Sequence, residues 1–255
     1  MNSFYTCPYE WYLHYIECNP SIGGFFGAYG SFMHEILEKY ERGELDIFSM
    51  PQFYEENFND AIPWNAPPNQ YVDIRQSYYD KGMEYLENID LILDECEVLG
   101  IEQEVRFKIG NYDAVGYIDL LLREKSSGNI IILDHKSATL KFKKNGGISK
   151  KDAQHFLDFQ RQLYLYSKPV IEQYGKVDWL VWNMFRQRDY IKVPWTEDGY
   201  NEALSWAENT IHKIEGEEEW PANPDYYYCH NLCGQRNICE YGEGMREVME
   251  DNTSD

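Results

Sequence analysis

Between residues 101 and 136 the hydrophobic period of this chain changes from helical to strand-like, and that change most constrains the fold. Ile101 to Ile109 alternates as a strand does, Asn111 opens a turn, and Ala114 to Arg123 reads as a second strand. Ser126-Ser127-Gly128-Asn129 is a hairpin turn, and Ile130 to Lys136 is a third strand, apolar until its last three residues. A meander of this kind needs helices to cover it, and the flanking sequence supplies them. Residues 1–20 read as a short aromatic helix ended by Asn19-Pro20. A glycine-rich stretch follows, and then a helix over 31–42 stopped by Gly43. Residues 51–69 look irregular, and 71–99 read as one long helix enclosing Cys96. Helices are expected at 150–174 and 197–215, with strands at 177–185 and 190–193 between them. The pattern predicts an α/β chain with helical additions.

Two of the strands carry carboxylates. Asp119 and Asp134 are 15 residues apart across one hairpin, and neighbouring strands lie about 4.8 Å apart, so the pair converges if the register allows. An Asp in an apolar strand is costly unless it is paired or holds a cation, and an oxygen pair suits Mg²⁺ or Mn²⁺. Lys136 lies two residues beyond Asp134, on the same strand face. A divalent ion beside an ammonium is an arrangement for hydrolysing a phosphodiester. A surface Asp134–Lys136 ion pair is the simpler alternative.

Other residues fit around this pair. Gly30-x3-His34-x3-Glu38 puts His34 and Glu38 one turn apart, and His34 offers an imidazole nitrogen; Glu35 and Glu38 read as a solvated face. Gln160/Tyr164 and Gln162/Tyr166 are overlapping Gln-x3-Tyr pairs that face different ways, so one of them can point into a polar cleft.

Charge narrows the class further. The chain has 255 residues, 44 acidic and 23 basic, for a net charge of −21, which argues against non-specific coating of nucleic acid. Six of the 23 basic residues (Lys136, Lys141, Lys143, Lys144, Lys150 and Lys151) fall in a 16-residue window without Asp or Glu. That window is suited to steering a polyanion toward Lys136, so Lys141, Lys143, Lys144, Lys150 and Lys151 are candidate DNA contacts. At 43% hydrophobic and 16% aromatic the chain can bury a core, and it has no run of 18 apolar residues. The start, MNSFYTCPYE, lacks the features of a signal peptide, so a cytoplasmic, reducing setting is expected and no membrane partner. In such a setting Cys229-x3-Cys233-x5-Cys239 reads as a metal site one ligand short, with Cys7 or Cys18 as the fourth; four cysteines suit zinc or an iron–sulfur cluster.

The order of these motifs is Cys7-Pro8, Gly30-x3-His34, Gly116-x-Ile118-Asp119, Asp134-x-Lys136, Gln162-x3-Tyr166 and Cys229-x3-Cys233-x5-Cys239. It resembles the PD-(D/E)xK nuclease superfamily, in its RecB-like branch with an iron–sulfur cluster. That branch holds the CRISPR-associated RecB-like exonucleases (the Cas-four family) and the nuclease domain of AddB-type helicase–nucleases. The resemblance runs from Cys7 to Cys239. It implies a restriction-endonuclease-like core, a central mixed β-sheet flanked by helices, within one domain over 1–255. The catalytic core would be 101–195, with a helical insertion at 71–99, and segments 1–20 and 221–240 would form the cluster region. By the resemblance His34, Asp119, Asp134 and the backbone carbonyl of His135 are metal ligands, Lys136 is catalytic, and Gln162 and Tyr166 match the family's Gln and Tyr. Cys7, Cys229, Cys233 and Cys239 would hold a [4Fe-4S] cluster that staples the two ends of the chain. Many relatives have C-x2-C where this chain has Cys229-x3-Cys233, and no GxxxxGK[ST] helicase motif is present. The implied activity is Mg²⁺- or Mn²⁺-dependent exonucleolytic cleavage of DNA, single-stranded or with a free end. A helicase, recombinase or CRISPR adaptation protein would be the partner. An inactive nucleic-acid-binding adaptor and a four-cysteine zinc protein are the alternatives.

Overall fold

The computed structural model describes residues 1–89, 92–143 and 147–241. Two short helices come first, α1 (Asn2–Thr6) and α2 (Pro8–Tyr15), followed by α3 (Phe25–Glu41), α4 (Ser49–Ala61) and α5 (Ile74–Glu87). The meander is β1 (Cys96–Ile109), β2 (Tyr112–Glu124) and β3 (Ile130–His135). Then come α6 (Ala153–Tyr174), β4 (Trp179–Met184), β5 (Asp189–Pro194), α7 (Glu197–Glu215) and α8 (Tyr226–Asn231).

The five strands form one sheet in the order β1-β2-β3-β4-β5. All neighbours are antiparallel except β3 and β4, which run parallel because α6 carries the chain back between them. The sheet is therefore mixed and flanked by helices, as the α/β expectation required. One face packs Ile130, Ile132, Leu180 and Trp182 against Leu163 and Val170 of α6 and Ala203 and Ala207 of α7. The other face buries Leu120, Leu122, Ile131, Leu133 and Val181. Helices α3, α4 and α5 form their own cluster around Tyr29, Met33, Tyr54 and Leu86, joined by Phe185 just beyond β4. No helix among the described residues is long and apolar enough to cross a membrane.

Local chemistry sets several ends. The Asp73 carboxylate accepts from Gln76 N at the start of α5, Thr196 Oγ1 caps α7, and left-handed Gly175 (φ 82°) closes α6. Elsewhere the structure departs from the sequence reading. The expected helix over 71–99 stops at Glu87, and Cys96 opens β1 instead, because residues 96–100 find partners in Glu124 to Leu121 that a local pattern does not reveal. Residues 51–69 were expected to be irregular, yet Met50, Tyr54 and Phe58, four apart, bury one face of α4; Pro51 sits in its first turn, where its missing N–H costs nothing. The helix expected at 31–42 begins at Phe25, with Gly27 and Gly30 inside it. The first 20 residues form two helices hinged at extended Cys7 (φ −157°, ψ 107°).

Candidate metal and nuclease site

The β2–β3 ladder runs from Arg123–Ile130 to Leu120–Leu133 and ends there, so Asp119 and Asp134 are the next residue on each strand, at the open end of the pair. Like charges so placed repel. Both are buried, Asp134 at 2% exposure. Burial, and then the Asp134 charge, raise the Asp119 carboxyl well above the ordinary carboxylate range. Lys136 Nζ lies 2.7 Å from Asp134 Oδ2 as an ion pair without aligned hydrogen-bond geometry, so that oxygen has no hydrogen-bond partner. The ammonium donates instead to Gln162 Oε1 at 3.0 Å and lies 5.1 Å from the Phe159 ring centre. The Asp134–Lys136 pair is thus an interior arrangement, with Lys136 side-chain exposure at 19%, and the simple surface ion pair does not apply.

The two Gln-x3-Tyr pairs separate as their 200° offset requires. Tyr164 points to α7, 3.2 Å from Thr196 Oγ1, whereas Gln162 Nε2 donates to Tyr166 Oη at 3.5 Å beside Lys136. Gly116 is what lets Tyr166 approach, since a Cβ there would overlap the tyrosine ring.

Helix α3 reaches the same place from the other side. His34 Nε2 donates to the His135 carbonyl at 2.9 Å, and His34 Nδ1 lies 3.5 Å from Asp119 Oδ2. Burial lowers the His34 imidazole to about 4, so its neutral, ligand-competent form prevails at pH 7. Seven residues on, on the same helical face, Glu41 Oε1 accepts from His135 Nε2 at 2.8 Å, with side-chain exposures of 4% and 6%. His135 is held at every polar atom. Its N–H donates to Asp119 Oδ2 at 2.7 Å, and its Nδ1 lies 2.9 Å from Asn183 Nδ2, which also donates to Tyr85 Oη at 2.6 Å. Burial by itself would lower the His135 imidazole, but the Glu41 hydrogen bond and charge outweigh it and raise it. The buried Asn183 Oδ1 has no partner in this orientation; exchanging the amide O and N would let it accept from an imidazolium Nδ1–H.

Two acids at this site, Glu41 and Glu102, were not singled out from the sequence. Glu41 looks like one more acid in an acidic helix, although its spacing of seven from His34 was a usable signal. Glu102 looks like a solvent-facing strand acid between Ile101 and Gln103. It has a left-handed backbone (φ 47°), strained for a non-glycine residue, and falls opposite Asp119 where the β1–β2 pairing skips. Ligand atoms of His34, Glu102 and Asp119 all lie within 4.8 Å of one another, the one such group among the described residues. Burial, then Glu38 and Glu41, raise the Glu102 carboxyl. The Asp119 and Asp134 carboxylates, Glu102 beside them and a neutral His34 imidazole are donors that fit a hard divalent cation. Glu35 and Glu38 pair outward with Lys39 and Arg42, as a solvated face does.

The two chain ends that carry Cys7, Cys229, Cys233 and Cys239 meet. Asn223 N donates to Cys7 Sγ at 3.5 Å, and Glu10 of α2 accepts from Tyr228 Oη at 2.6 Å and Gly234 N at 2.8 Å. Cys7, Cys233 and Cys239 are buried, Cys229 is half-buried, and none is in a disulfide. Burial pushes the Cys233 thiol up to about 12. Cys18 is exposed and turned to its own Ile16 carbonyl. Cys96 is a buried thiol of the sheet.

In the basic segment Phe142 bridges Ile148, and Asp152 accepts from Lys141 N and Ser149 Oγ. Lys141, Lys143, Lys150 and Lys151 are exposed; Lys144 lies outside the described residues.

The crystal structure of a candidate exonuclease from Eubacterium rectale superposes with a TM-score of 0.46 at 15% identity, covering 85% of this chain and 74% of that one. A search of curated proteins gives no match. The description "PD-(D/E)XK nuclease superfamily" belongs to a family profile that matches residues 1–240, nearly the whole chain, and so the chain belongs to that superfamily.

Proposed function

We propose that this protein is a divalent-metal-dependent deoxyribonuclease of the RecB-like branch, an exonuclease acting on single-stranded or free-ended DNA in recombination, repair or end processing. The observation that carries the reading is the buried Asp119 and Asp134 at the open end of the β2–β3 ladder, with Lys136 ion-paired to Asp134 and bonded to Gln162. Asp119, Asp134, His34 and the His135 carbonyl, with Glu102 beside them, would hold Mg²⁺ or Mn²⁺. A bound ion of this kind supplies Lewis-acid polarisation of the scissile phosphate. Lys136, kept in place by Gln162 and the Phe159 ring, carries positive charge to the reacting phosphate. Tyr166 fixes the Gln162 amide. Helix α3 fixes His135 at its carbonyl and at its ring, and so sets the direction of that carbonyl. Exposed Lys141, Lys143, Lys150 and Lys151 are read as phosphate contacts, together with Lys144.

Cys7, Cys229, Cys233 and Cys239 are read as ligands of a [4Fe-4S] cluster that joins the two ends of the chain. Anaerobic purification should then give a brown protein whose iron is lost on Cys233→Ser.

The test of activity uses end-labelled single- and double-stranded DNA with Mg²⁺, Mn²⁺ or EDTA, the products being resolved by size. Metal-dependent, stepwise shortening supports the reading. No cleavage by iron-loaded protein under any of these conditions refutes it.

A further inference from the structure

One face of α6 carries Gln154, Asp158, Gln162 and Tyr166, each four residues from the next, so a polar stripe winds along the helix from its first turn to the candidate site. Neighbouring members bond: Gln154 Nε2 donates to Asp158 Oδ1 at 3.0 Å, and Gln162 Nε2 to Tyr166 Oη. The stripe is the floor of two adjoining cavities. The inner, of about 210 Å³, lies between Phe107, Val115, Leu165 and Trp206 and includes Gln162 and Tyr166. The outer, of about 470 Å³, is bounded by Tyr5, Gln154, Arg161 and Trp206. Asp158 and Trp206 line both.

Trp206 lines both compartments and so lies between them. Tyr5 stacks on it at 6.2 Å and 28°, and the Arg161 guanidinium lies 4.7 Å from its ring centre. Phe107 meets Tyr166 edge to face at 6.0 Å in the inner compartment. Arg161 is neutralised by Glu202 and Asp158. Its charge is thus spent inside the protein; Met1 and Asn2 of the N-terminal segment also line the inner compartment, and the walls are otherwise aromatic faces with amide and carboxylate edges. That chemistry recognises a base and not a phosphate. The bases of a duplex are stacked and paired within it, so only an unpaired strand can enter.

We propose that the inner compartment binds a nucleobase of an unpaired DNA strand next to the bond being cleaved, with Trp206 as the stacking wall and the outer compartment taking the next base. The inference rests on the nuclease reading for its substrate, because Gln162 contacts Lys136 on one side and lines the compartment on the other. The N-terminal segment thereby gains a role: Tyr5, held 3.1 Å from Thr210 Oγ1 of α7, completes the outer wall.

The test measures binding without turnover, in EDTA. A short single-stranded oligonucleotide carries 2-aminopurine near its end, in separate versions for each position and strand end. Wild-type protein should quench the fluorescence at one position. Trp206→Ala should abolish that quenching and weaken binding about 5- to 150-fold, the range of base–aromatic stacking. Val115 is 53% exposed, so Val115→Trp fills the compartment from outside the core and should weaken binding similarly in a protein with unchanged melting. An oligonucleotide abasic at that position should bind both variants as it binds wild type. Wild-type quenching and affinity in Val115→Trp, or equal weakening of the abasic strand, would overturn the proposal. Base-dependent binding without cleavage would sink the nuclease reading and leave the compartment standing. Cleavage without base-dependent binding would remove the compartment alone.

Discussion

Removing the carboxylate of Glu41 should damage this protein more than any substitution at the outward acids of the same helix. Glu41 and His135 are almost wholly out of solvent and 2.8 Å apart. Coulomb's law at an effective dielectric of about 20 gives roughly 6 kcal/mol of gross attraction at that distance, most of it offset by desolvation. Breaking such a pair by deleting one partner costs about 3–5 kcal/mol, because the other charge stays buried. Glu41→Ala should therefore lower the melting temperature by roughly 6–20 °C, taking about 2–4 °C per kcal/mol for a chain of this size. Glu41→Gln keeps an acceptor for His135 Nε2–H and should fall between the two. The pH dependence has a definite sign. The folded-state value of His135 is raised above its unfolded value of about 6.5, so the pair's stability is fully present below that pH and is lost as pH rises through the raised folded value. The gap between wild type and Glu41→Gln should thus be widest near pH 6 and narrow toward pH 9, by calorimetry in EDTA. A gap under about 0.5 kcal/mol at pH 6, or one that widens with pH, would refute the clamp. The same variants should bind Mn²⁺ more weakly, read by paramagnetic resonance, because the His135 carbonyl loses its aim.

Three further outcomes follow from the site. Asp119→Asn should stabilise the metal-free protein at pH 8 by about 1–2 kcal/mol: the raised Asp119 value means that folding loses stability as pH rises through it, and the amide removes that slope along with Mn²⁺ binding. Gly116→Ala should cost about 1–3 kcal/mol by overpacking against Tyr166, and DNA cleavage should drop with it because Gln162 is displaced; unchanged melting and activity would show that Tyr166 has another position available. Cys7→Ser should lose iron and lower the melting temperature, whereas Cys18→Ser should change neither, as measured by iron content and calorimetry; equal losses would mean that the fourth ligand is misassigned.

Much of the sheet was legible because period and turn chemistry are local. The β2–β3 hairpin and the exact span of α7 both follow from such patterns. Both Gln-x3-Tyr pairs satisfy the same spacing, so the preference for Gln162/Tyr166 rested on the family resemblance; Gln162 is the one that contacts Lys136. Glu41 and Glu102 were missed for a related reason. Each is an unremarkable acid until α3 crosses the end of β3, or until β1 takes a left-handed turn opposite Asp119. The boundary errors have physical causes too. Pro51 disguised the start of α4, and residues 96–100 become strand only because β2 is there to pair with them.

On the proposed reading Lys136 acts on DNA at a metal site built by Asp119 and Asp134. The most direct test follows Mn²⁺ binding and degradation of an end-labelled single strand in wild type, Asp119→Ala and Lys136→Ala side by side. Asp119→Ala should lose both metal and cleavage. Lys136→Ala should keep Mn²⁺ within a few-fold of wild type yet cleave at least about 100-fold more slowly. Wild-type cleavage by either variant would contradict it.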